Sequence, residues 1–260
     1  MDYQYLSNTV KIKKISETDT EGVFEIEGLY SGYGLTLGNA LRRALLSSLP
    51  GAAITQFKIK GVKHEFSTIP GVKEDVIEII LNLKKVRFKF YADEPQTLLL
   101  KVKGEKKVNA GDIESSAQVE VVNSESPIMT LTSKNAEVEM ELIVEKGLGY
   151  ASAESRKANK LPVGVIAIDA FFTPIVSVNF NIENMRVGDR TDYNRIKFSV
   201  ITDGSIAPSK AFHKAANVLK DHIEKVAAIE VREENKPKKT VKAEKKTKAT
   251  KKETKKKLKS

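Results

Sequence analysis

The stretch Thr36–Gly51, which reads T-L-G-N-A-L-R-R-A-L-L-S-S-L-P-G, predicts a short amphipathic helix around which the rest of the chain is organised. We expect Thr36 to cap its start, because a threonine hydroxyl can accept a hydrogen bond from a free N–H of the first turn. Pro50-Gly51 should end it, because proline cannot continue the hydrogen-bond ladder and glycine suits a left-handed exit. The apolar stripe of this helix, at steps of three and four, is formed by Leu37, Leu41, Ala44, Leu45 and Ser48.

Two adjacent arginines, Arg42 and Arg43, lie beside this stripe, together with Asn39. A half-apolar helix must bury its stripe, so the two arginines face either water or a partner. The residues alone favour a solvated face.

The net charge of +10 is unevenly distributed along the 260 residues. The segment Arg232–Ser260 holds fourteen Lys/Arg and four Glu, which accounts for the whole excess. The remaining thirty basic and thirty acidic residues make the body neutral, so the basic pI is weak support for a nucleic-acid surface on it. The tail contains Lys, Thr, Ala and Glu but no aromatic residue, and this composition predicts disorder over 232–260.

Several classes of protein are disfavoured by simple features of the sequence. The sequence contains no run of about 18 apolar residues, so no membrane span is predicted. The N-terminus has neither the basic start and apolar core of a signal peptide nor the pattern of a transit peptide. With no cysteine there is no disulfide and no thiolate metal site, which fits a reducing compartment. We therefore expect a cytoplasmic protein.

The rest of the chain predicts many strands and two further helices. The predicted strands are Val10–Ser16, Val23–Ser31, Ala53–Val62, Val86–Tyr91, Thr97–Val102, Val119–Val122, Met129–Thr132, Ala136–Glu145, Val163–Phe172, Val176–Val187 and Arg195–Ile201. A helix is predicted at Val72–Leu83, while Ala151–Lys160 reads as a surface loop and Gly188–Asp192 as a turn. The fold class is therefore α+β, with a mainly β middle part.

The last predicted helix, Pro208–Val231, has apolar residues spaced like a helix-pairing seam. Their steps alternate between four and three, and the residues are Phe212, Ala216, Leu219, Ile223 and Val226. The seam can be buried against the body or against a second copy of the chain, and periodicity leaves both open.

No catalytic or metal-binding motif is evident in the sequence. His213 and His222 are nine residues apart, which is not metal-ligand spacing, and His64 stands alone. Walker, Gly-x-Ser-x-Gly and His-Glu-x-x-His motifs are absent. We expect no cofactor and no catalytic residues in this chain.

These residues, taken together, resemble the alpha subunit of bacterial-type DNA-directed RNA polymerase, in its N-terminal assembly region. Thr36–Arg43 followed by Leu45–Gly51 is similar to that family's motif at almost every residue. Further motifs follow in family order: Gly61–Ser67, Gly71–Asp75, Ile79–Lys84, Gly147–Tyr150, Val163-Gly164, Asp169-Ala170, Thr173-Pro174 and Arg190–Asp192. The resemblance covers roughly residues 2–231.

The resemblance implies two subdomains. One is built from both ends of the body, residues 1–52 and 172–231, with an antiparallel sheet and two dimerisation helices. The other is an inserted, mainly β subdomain over 53–171. Family members form homodimers that are scaffolds rather than catalysts, and the dimer nucleates assembly of the β and β′ subunits for DNA-templated transcription.

The resemblance also implies roles for particular residues. Contacts with the large subunits are expected from Asn39, Arg42, Arg43, His64, Asp75, Lys84, Arg190, Thr191 and Asp192, with Arg43 foremost. Arginine suits such a contact, since its planar fork holds a carboxylate or several carbonyls and stays charged when desolvated. Dimerisation is expected from Leu37, Leu41, Leu45, Phe212, Ala216, Leu219, Ile223 and Val226. Because the two copies are identical, the sequence does not assign one to β and the other to β′.

The chain departs from longer family members at its C-terminal end. Those members continue into a small helical domain that contacts upstream DNA and activators, and we expect the Lys-rich tail to stand in its place. The tail then either clamps nucleic acid non-specifically or keeps the chain soluble. DNA contact is otherwise expected only through the assembled enzyme at the nucleoid, and a plastid-type source is as compatible as a bacterial one.

Two other classes of function are weaker readings. A free-standing basic nucleic-acid-binding protein is disfavoured by the neutral body and by an expected lack of basic–aromatic interleaving on any strand. An independent enzyme is disfavoured by the missing motifs.

Overall fold

The computed structural model describes residues 8–157 and 161–229. The described strands, numbered in chain order, are β1 (Lys11–Glu17), β2 (Glu21–Leu29), β3 (Pro50–Ile59), β4 (Phe88–Phe90), β5 (Gln96–Lys103), β6 (Lys106–Asn109), β7 (Val119–Val121), β8 (Pro127–Leu131), β9 (Glu137–Leu148), β10 (Tyr150–Ala151), β11 (Val165–Ala167), β12 (Ala170–Phe171), β13 (Ile175–Val187) and β14 (Arg190–Thr202). The described helices are α1 (Tyr33–Ser47), α2 (Val76–Leu83), α3 (Ala153–Lys157) and α4 (Pro208–Ala227), with a 3-10 turn at Ala110–Asp112. The predicted α+β class with antiparallel sheets is confirmed.

The two ends of the body share one antiparallel sheet in the order β1-β2-β14-β13. Phe24, Ile26 and Phe198 point from its inner face into a core that α1 and α4 complete with Leu45 and Ala215. Strands that are distant in sequence therefore form one sheet because each contributes an apolar inner face that needs the same cover.

A second antiparallel sheet, in the order β11-β3-β9-β5, has a separate core. Helix α2 covers it with Val76, Ile79 and Leu83, all fully buried. Three two-stranded sheets, β4-β7, β6-β8 and β10-β12, complete the described part of the chain.

The first helix differs from its predicted bounds at both ends. It begins at Tyr33, so Thr36 lies inside the first turns. The N-cap residue is Gly32, which has a left-handed backbone with φ 87° and no side chain of its own with which to cap the helix. The prediction that Thr36 caps the helix is wrong. The helix ends at Ser47, and Pro50-Gly51 opens strand β3 instead of ending the helix.

Three other segments differ from the sequence-based predictions. Helix α2 begins at Val76 rather than Val72, because the Asp75 side chain caps it by accepting from the Glu78 N–H at 2.7 Å. The predicted loop 151–160 contains helix α3. The predicted strand Val163–Phe172 is two short strands in different sheets, β11 and β12, since Ile168 and Asp169 break the ladder between them.

The predicted disordered tail, 232–260, lies outside the described residues, as do the last residues of the predicted final helix. No helix within 8–157 or 161–229 combines the length and apolar composition needed to cross a bilayer.

Candidate assembly surface

Helix α1 is held against the sheet at very short range, which determines where its arginines point. A Cβ added at Gly38 would lie 2.6 Å from the Phe180 ring, and one added at Gly34 would lie 3.0 Å from the Asn194 side chain. The buried stripe includes Leu41 and Leu45, whose exposed fractions are 4% and 0%. The opposite face is therefore directed away from the sheet.

The exposed face of α1 carries the three predicted contact residues Asn39, Arg42 and Arg43. Within the described part of the chain, neither guanidinium group makes an ion pair or a hydrogen bond. This contrasts with Arg190 and Arg195, which are both paired with carboxylates. Two uncompensated guanidinium groups on a helix fixed against the sheet can bind carboxylates or carbonyls of a partner, at the cost of ordering two free side chains but not their backbone.

Arg43 also borders a groove between α1 and α4. The groove encloses about 350 Å³, and its other walls include Ser47, Val218, Leu219 and His222. The structure thus places α1 next to the predicted seam of α4, and this neighbourhood was not predicted from the sequence.

The eight predicted dimerisation residues differ in their exposure. Leu41 and Leu45 are buried in the core of the single chain. Leu37, Phe212, Ala216 and Leu219 are half-buried against the same core, where Phe212 stacks on Phe24 with ring centroids 5.0 Å apart. Ile223 and Val226 are 65% and 72% exposed. Of the eight, these last two are the residues that are mostly exposed to solvent.

Arg190 and Asp192, at the start of β14, form a paired cluster with Tyr30. Arg190 donates to both carboxylate oxygens of Asp192, at 3.0 and 2.7 Å, and to the Tyr30 hydroxyl at 3.3 Å. These bonds hold the pKa of Asp192 below its usual value and raise the pKa of Arg190. Thr191 between them is exposed. The predicted turn at 188–192 is shorter than expected, because Arg190 already belongs to the strand.

His64 and Asp75 are linked through Ser67. The Ser67 hydroxyl lies 3.2 Å from His64 Nδ1, and the Ser67 carbonyl accepts from the N–H of Val76, the residue after Asp75. Both His64 and Asp75 are exposed. Through Ser67, the loop that carries His64 is therefore attached to the start of α2, where Asp75 lies.

Lys84 at the other end of α2 is paired with Asp169, for which no role was predicted from the sequence. Lys84 Nζ donates to Asp169 Oδ2 at 3.0 Å, while Asp169 Oδ1 accepts from the Ala153 N–H at 2.9 Å. The backbone bond from Ala153 and then the bond from Lys84 lower the pKa of Asp169. No local pattern could have revealed this pair, since its members are 85 residues apart.

An exposed aromatic residue, Phe66, connects the His64 and Lys84 regions. It is 75% exposed and lines two adjoining hollows of about 310 and 250 Å³. One hollow includes His64 and the other includes Lys84 and Asp169. An exposed phenylalanine beside charged groups is typical of the anchor of a protein interface. Phe66 was not among the predicted contact residues, because its exposure cannot be inferred from the loop sequence.

The described residues form no candidate metal site. Nowhere in 8–157 or 161–229 do three His, Asp or Glu side chains converge so as to hold an ion.

Similarity to known proteins extends over most of the chain. Residues 57–173 match the family described as RNA polymerase Rpb3/RpoA insert domain. The chain is 49% identical over 214 residues to a protein of Alkaliphilus oremlandii, covering 82% of this chain and 67% of that protein. It is 51% identical over 205 residues to one of Moorella thermoacetica, covering 79% and 65%, and 49% identical over 217 residues to one of Roseiflexus sp., covering 84% and 67%. All three are named DNA-directed RNA polymerase subunit alpha, and the chain spans about two thirds of their length.

Proposed function

The chain belongs to the family of bacterial DNA-directed RNA polymerase alpha subunits, and we propose that it is a homodimeric, non-catalytic scaffold that nucleates assembly of the β and β′ subunits. Its role is in transcription, as one subunit of a multisubunit nucleotidyltransferase. Beyond membership of the family, the proposal adds the homodimer, the β and β′ subunits as its partners, and the residues that contact them.

The observation that carries the proposal is the exposed face of α1. Arg42 and Arg43 lie on a helix whose other face is buried, and neither is neutralised by a described residue. Residues 1–231 have no net charge, so these arginines do not belong to a body whose overall charge would attract any polyanion. A protein partner that supplies carboxylates or carbonyl groups at fixed positions is the best match.

A second contact area is proposed around Phe66. Its aromatic ring would supply apolar burial, while His64 and Lys84, which line the two hollows beside it, would supply polar contacts. Asp75, the N-cap of α2, would add a further polar contact. Apolar anchors surrounded by polar residues are typical of stable protein interfaces. The Arg190–Asp192 cluster would form a third contact on the end-built subdomain.

Dimerisation is proposed through α1 and α4. Ile223 and Val226 continue the apolar seam beyond the residues that the body covers, and a second copy would bury them. Phe212, Ala216 and Leu219 would support the seam from the core, and Leu41 and Leu45 would position α1 from within.

The proposed scaffold contributes no catalytic residue and no cofactor of its own. DNA contact would occur through the assembled enzyme in the cytoplasm, at the nucleoid. The Lys-rich tail would add either non-specific, salt-sensitive binding to nucleic acid or solubility.

The test is size-exclusion chromatography with light scattering, on the chain alone and after mixing with purified β subunit. The scaffold proposal expects a dimer that binds β in the absence of nucleic acid. A monomer that ignores β but binds DNA would contradict it, and would favour a free-standing nucleic-acid-binding protein.

A further inference from the structure

A basic cleft lies on the side of the molecule where strand β4 meets the start of α4. Its walls come from the start of β3, from β4 and the following Tyr91, from Lys146 of β9, and from the first turns of α4 with the loop before it. It encloses about 440 Å³. We call it the lysine cleft, after Lys89, Lys146, Lys210 and Lys214.

The lysine cleft concentrates positive charge in a body that is neutral as a whole. None of the described residues that line it is Asp or Glu. Among the described residues, the ion pairs of Lys146 and Lys89 are long and exposed, at 3.7 Å to Asp93 and 3.9 Å to Glu120, and such pairs contribute little. Lys210 and Lys214 form no ion pair with any residue in the described ranges. The cleft therefore keeps most of its charge available for a ligand.

Lys210 has a position that the helix itself disfavours. It is the third residue of α4, and no acidic residue occurs in that first turn. A lysine near a helix N-terminus is repelled by the partial positive charge of the helix dipole. The carboxylate of Glu17, in β1, places a negative charge at the helix start, where it accepts a hydrogen bond from the Ser209 N–H. Glu17 lines the neighbouring hollow rather than this cleft. A residue that violates a local rule in this way is typical of a functional site.

Aromatic residues alternate with basic ones on the wall opposite α4. The run Arg87-Phe-Lys-Phe-Tyr91 interleaves the two kinds, contrary to the expectation that no strand does so. Phe88 is buried and Phe90 half-buried, whereas Tyr91 is 69% exposed at the edge of the cleft. An exposed ring beside lysines gives a nucleobase a surface on which to stack.

We propose that the lysine cleft binds single-stranded nucleic acid, with backbone phosphates on its lysines and a base stacked on Tyr91. A nucleic acid suits the cleft better than an acidic peptide does. Carboxylates are held best by the bidentate fork of arginine, and every cation in the cleft is a lysine, a point charge that suits a phosphate chain. The neighbouring hollow contains Glu17, Asp19 and Asp203, so the bound strand ends at Lys89. This site is independent of the proposed scaffold role and needs only the single chain.

The test uses a fluorescent reporter inside the cleft. The chain has no tryptophan, so Tyr91→Trp introduces a single emitting indole at the proposed stacking position. Short labelled oligo(dT) is titrated into the full-length variant, with indole emission reporting on the cleft and oligonucleotide anisotropy reporting on total binding. We expect saturable quenching of the indole emission in the Tyr91→Trp variant. Tyr33→Trp, on α1, is the matched reporter and should not respond.

Charge variants decide whether the lysines hold the strand. In the Tyr91→Trp background, the double substitution Lys210→Gln with Lys214→Gln should weaken the binding measured by quenching about tenfold or more. The slope of log affinity against log salt concentration should fall in magnitude by about 1.4, because each phosphate contact contributes roughly 0.7. Loss of Lys210 also removes a repulsion from the helix start, so the variant should fold, as circular dichroism will check. Lys107→Gln with Lys134→Gln, both exposed and outside the cleft, should leave quenching unchanged.

Three outcomes would overturn the proposal. Oligonucleotide binding without any change in the indole emission of the Tyr91→Trp variant would assign all binding to other parts of the chain. Equal quenching in the charge variant and in its control would remove the lysines from the site. Quenching by poly-glutamate but not by oligo(dT) would assign the cleft to an acidic peptide instead.

Discussion

Asn194 accepts a hydrogen bond from the backbone N–H of Gly32 through its side-chain oxygen at 3.0 Å, so a residue of β14 caps the helix that carries the exposed arginines. The same oxygen accepts from the Gly34 N–H at 3.3 Å. The cap on α1 is therefore supplied from across the sheet, by a residue 162 positions away in the chain. Position and orientation of α1 depend on this long-range contact.

Asn194→Ala tests that relationship. Removing the acceptor leaves two helix N–H groups unsatisfied and a small buried void, so we expect the free energy of unfolding to fall by about 1–3 kcal/mol. Chemical denaturation followed by circular dichroism measures it. Asn181→Ala, at an exposed position of β13, should change stability by less than about 0.5 kcal/mol. Equal stability of the two variants would show that the cap contributes nothing.

Glu17 should make stability depend on acidic pH. Hydrogen bonds from Ser209 and Lys14 lower the pKa of Glu17 to about 2, from an ordinary value of 4.5. Because the folded-state pKa is the lower one, this stabilisation is complete above about pH 4.5 and is lost as the pH falls toward 2. Glu17→Gln should therefore be less stable than the parent by about 1 kcal/mol at pH 7, with the difference disappearing near pH 2.

The measurement for Glu17 is urea denaturation at several values of pH. Glu21→Gln, at an exposed position in the adjacent strand, is the control and should follow the parent at every pH. A difference between Glu17→Gln and the parent that stays constant from pH 7 to pH 2 would contradict the assignment.

Arg43→Ala tests the proposed contact with the β subunit. Its guanidinium group is exposed and supports no internal ion pair among the described residues, so the variant should fold and dimerise as the parent does. Loss of an interface arginine of this kind is expected to cost about 2 kcal/mol or more, which is roughly a thirtyfold loss of affinity for β. Biolayer interferometry against immobilised β measures the change.

Two further variants test whether the effect is specific to an arginine at position 43. Arg43→Lys keeps the charge but not the planar fork, and we expect it to recover only part of the affinity. Lys107→Ala removes an exposed cation of β6 and should bind β as the parent does. Undiminished binding by Arg43→Ala would exclude this residue from the contact.

Ile223→Glu combined with Val226→Glu tests the dimer. Both side chains are mostly exposed in the single chain, so the substitutions should leave the fold intact while placing charge in the proposed seam. Each lost apolar contact is worth about 1.5–3 kcal/mol, so the two substitutions together should raise the dimer dissociation constant by about a hundredfold or more. Analytical ultracentrifugation measures it. Leu81→Glu, exposed on α2, is the control, and an unchanged dimer in the double variant would refute the seam.

The sequence by itself determined the features that depend on local periodicity. The steps of three and four in Thr36–Gly51 predicted that Leu41 and Leu45 would be buried and that Arg42 and Arg43 would lie off the buried face, and the structure agrees. This works because side chains on one helix face recur every 3.6 residues, whatever the rest of the chain does. Alternation likewise predicted most of the strands.

Tertiary structure alone decided the features that depend on contacts between distant segments. Thr36 was the plausible local cap, yet Asn194 caps α1, because the glycine-rich start of the helix lies against β14. In the same way, β1 supplies Glu17 to the start of α4, and Lys84 meets Asp169 across the insert. Periodicity contains no information about such pairs, because a polar side chain finds its partner only after the apolar faces have packed. The exposed arginines were predictable from the sequence, but the cap that positions their helix was not.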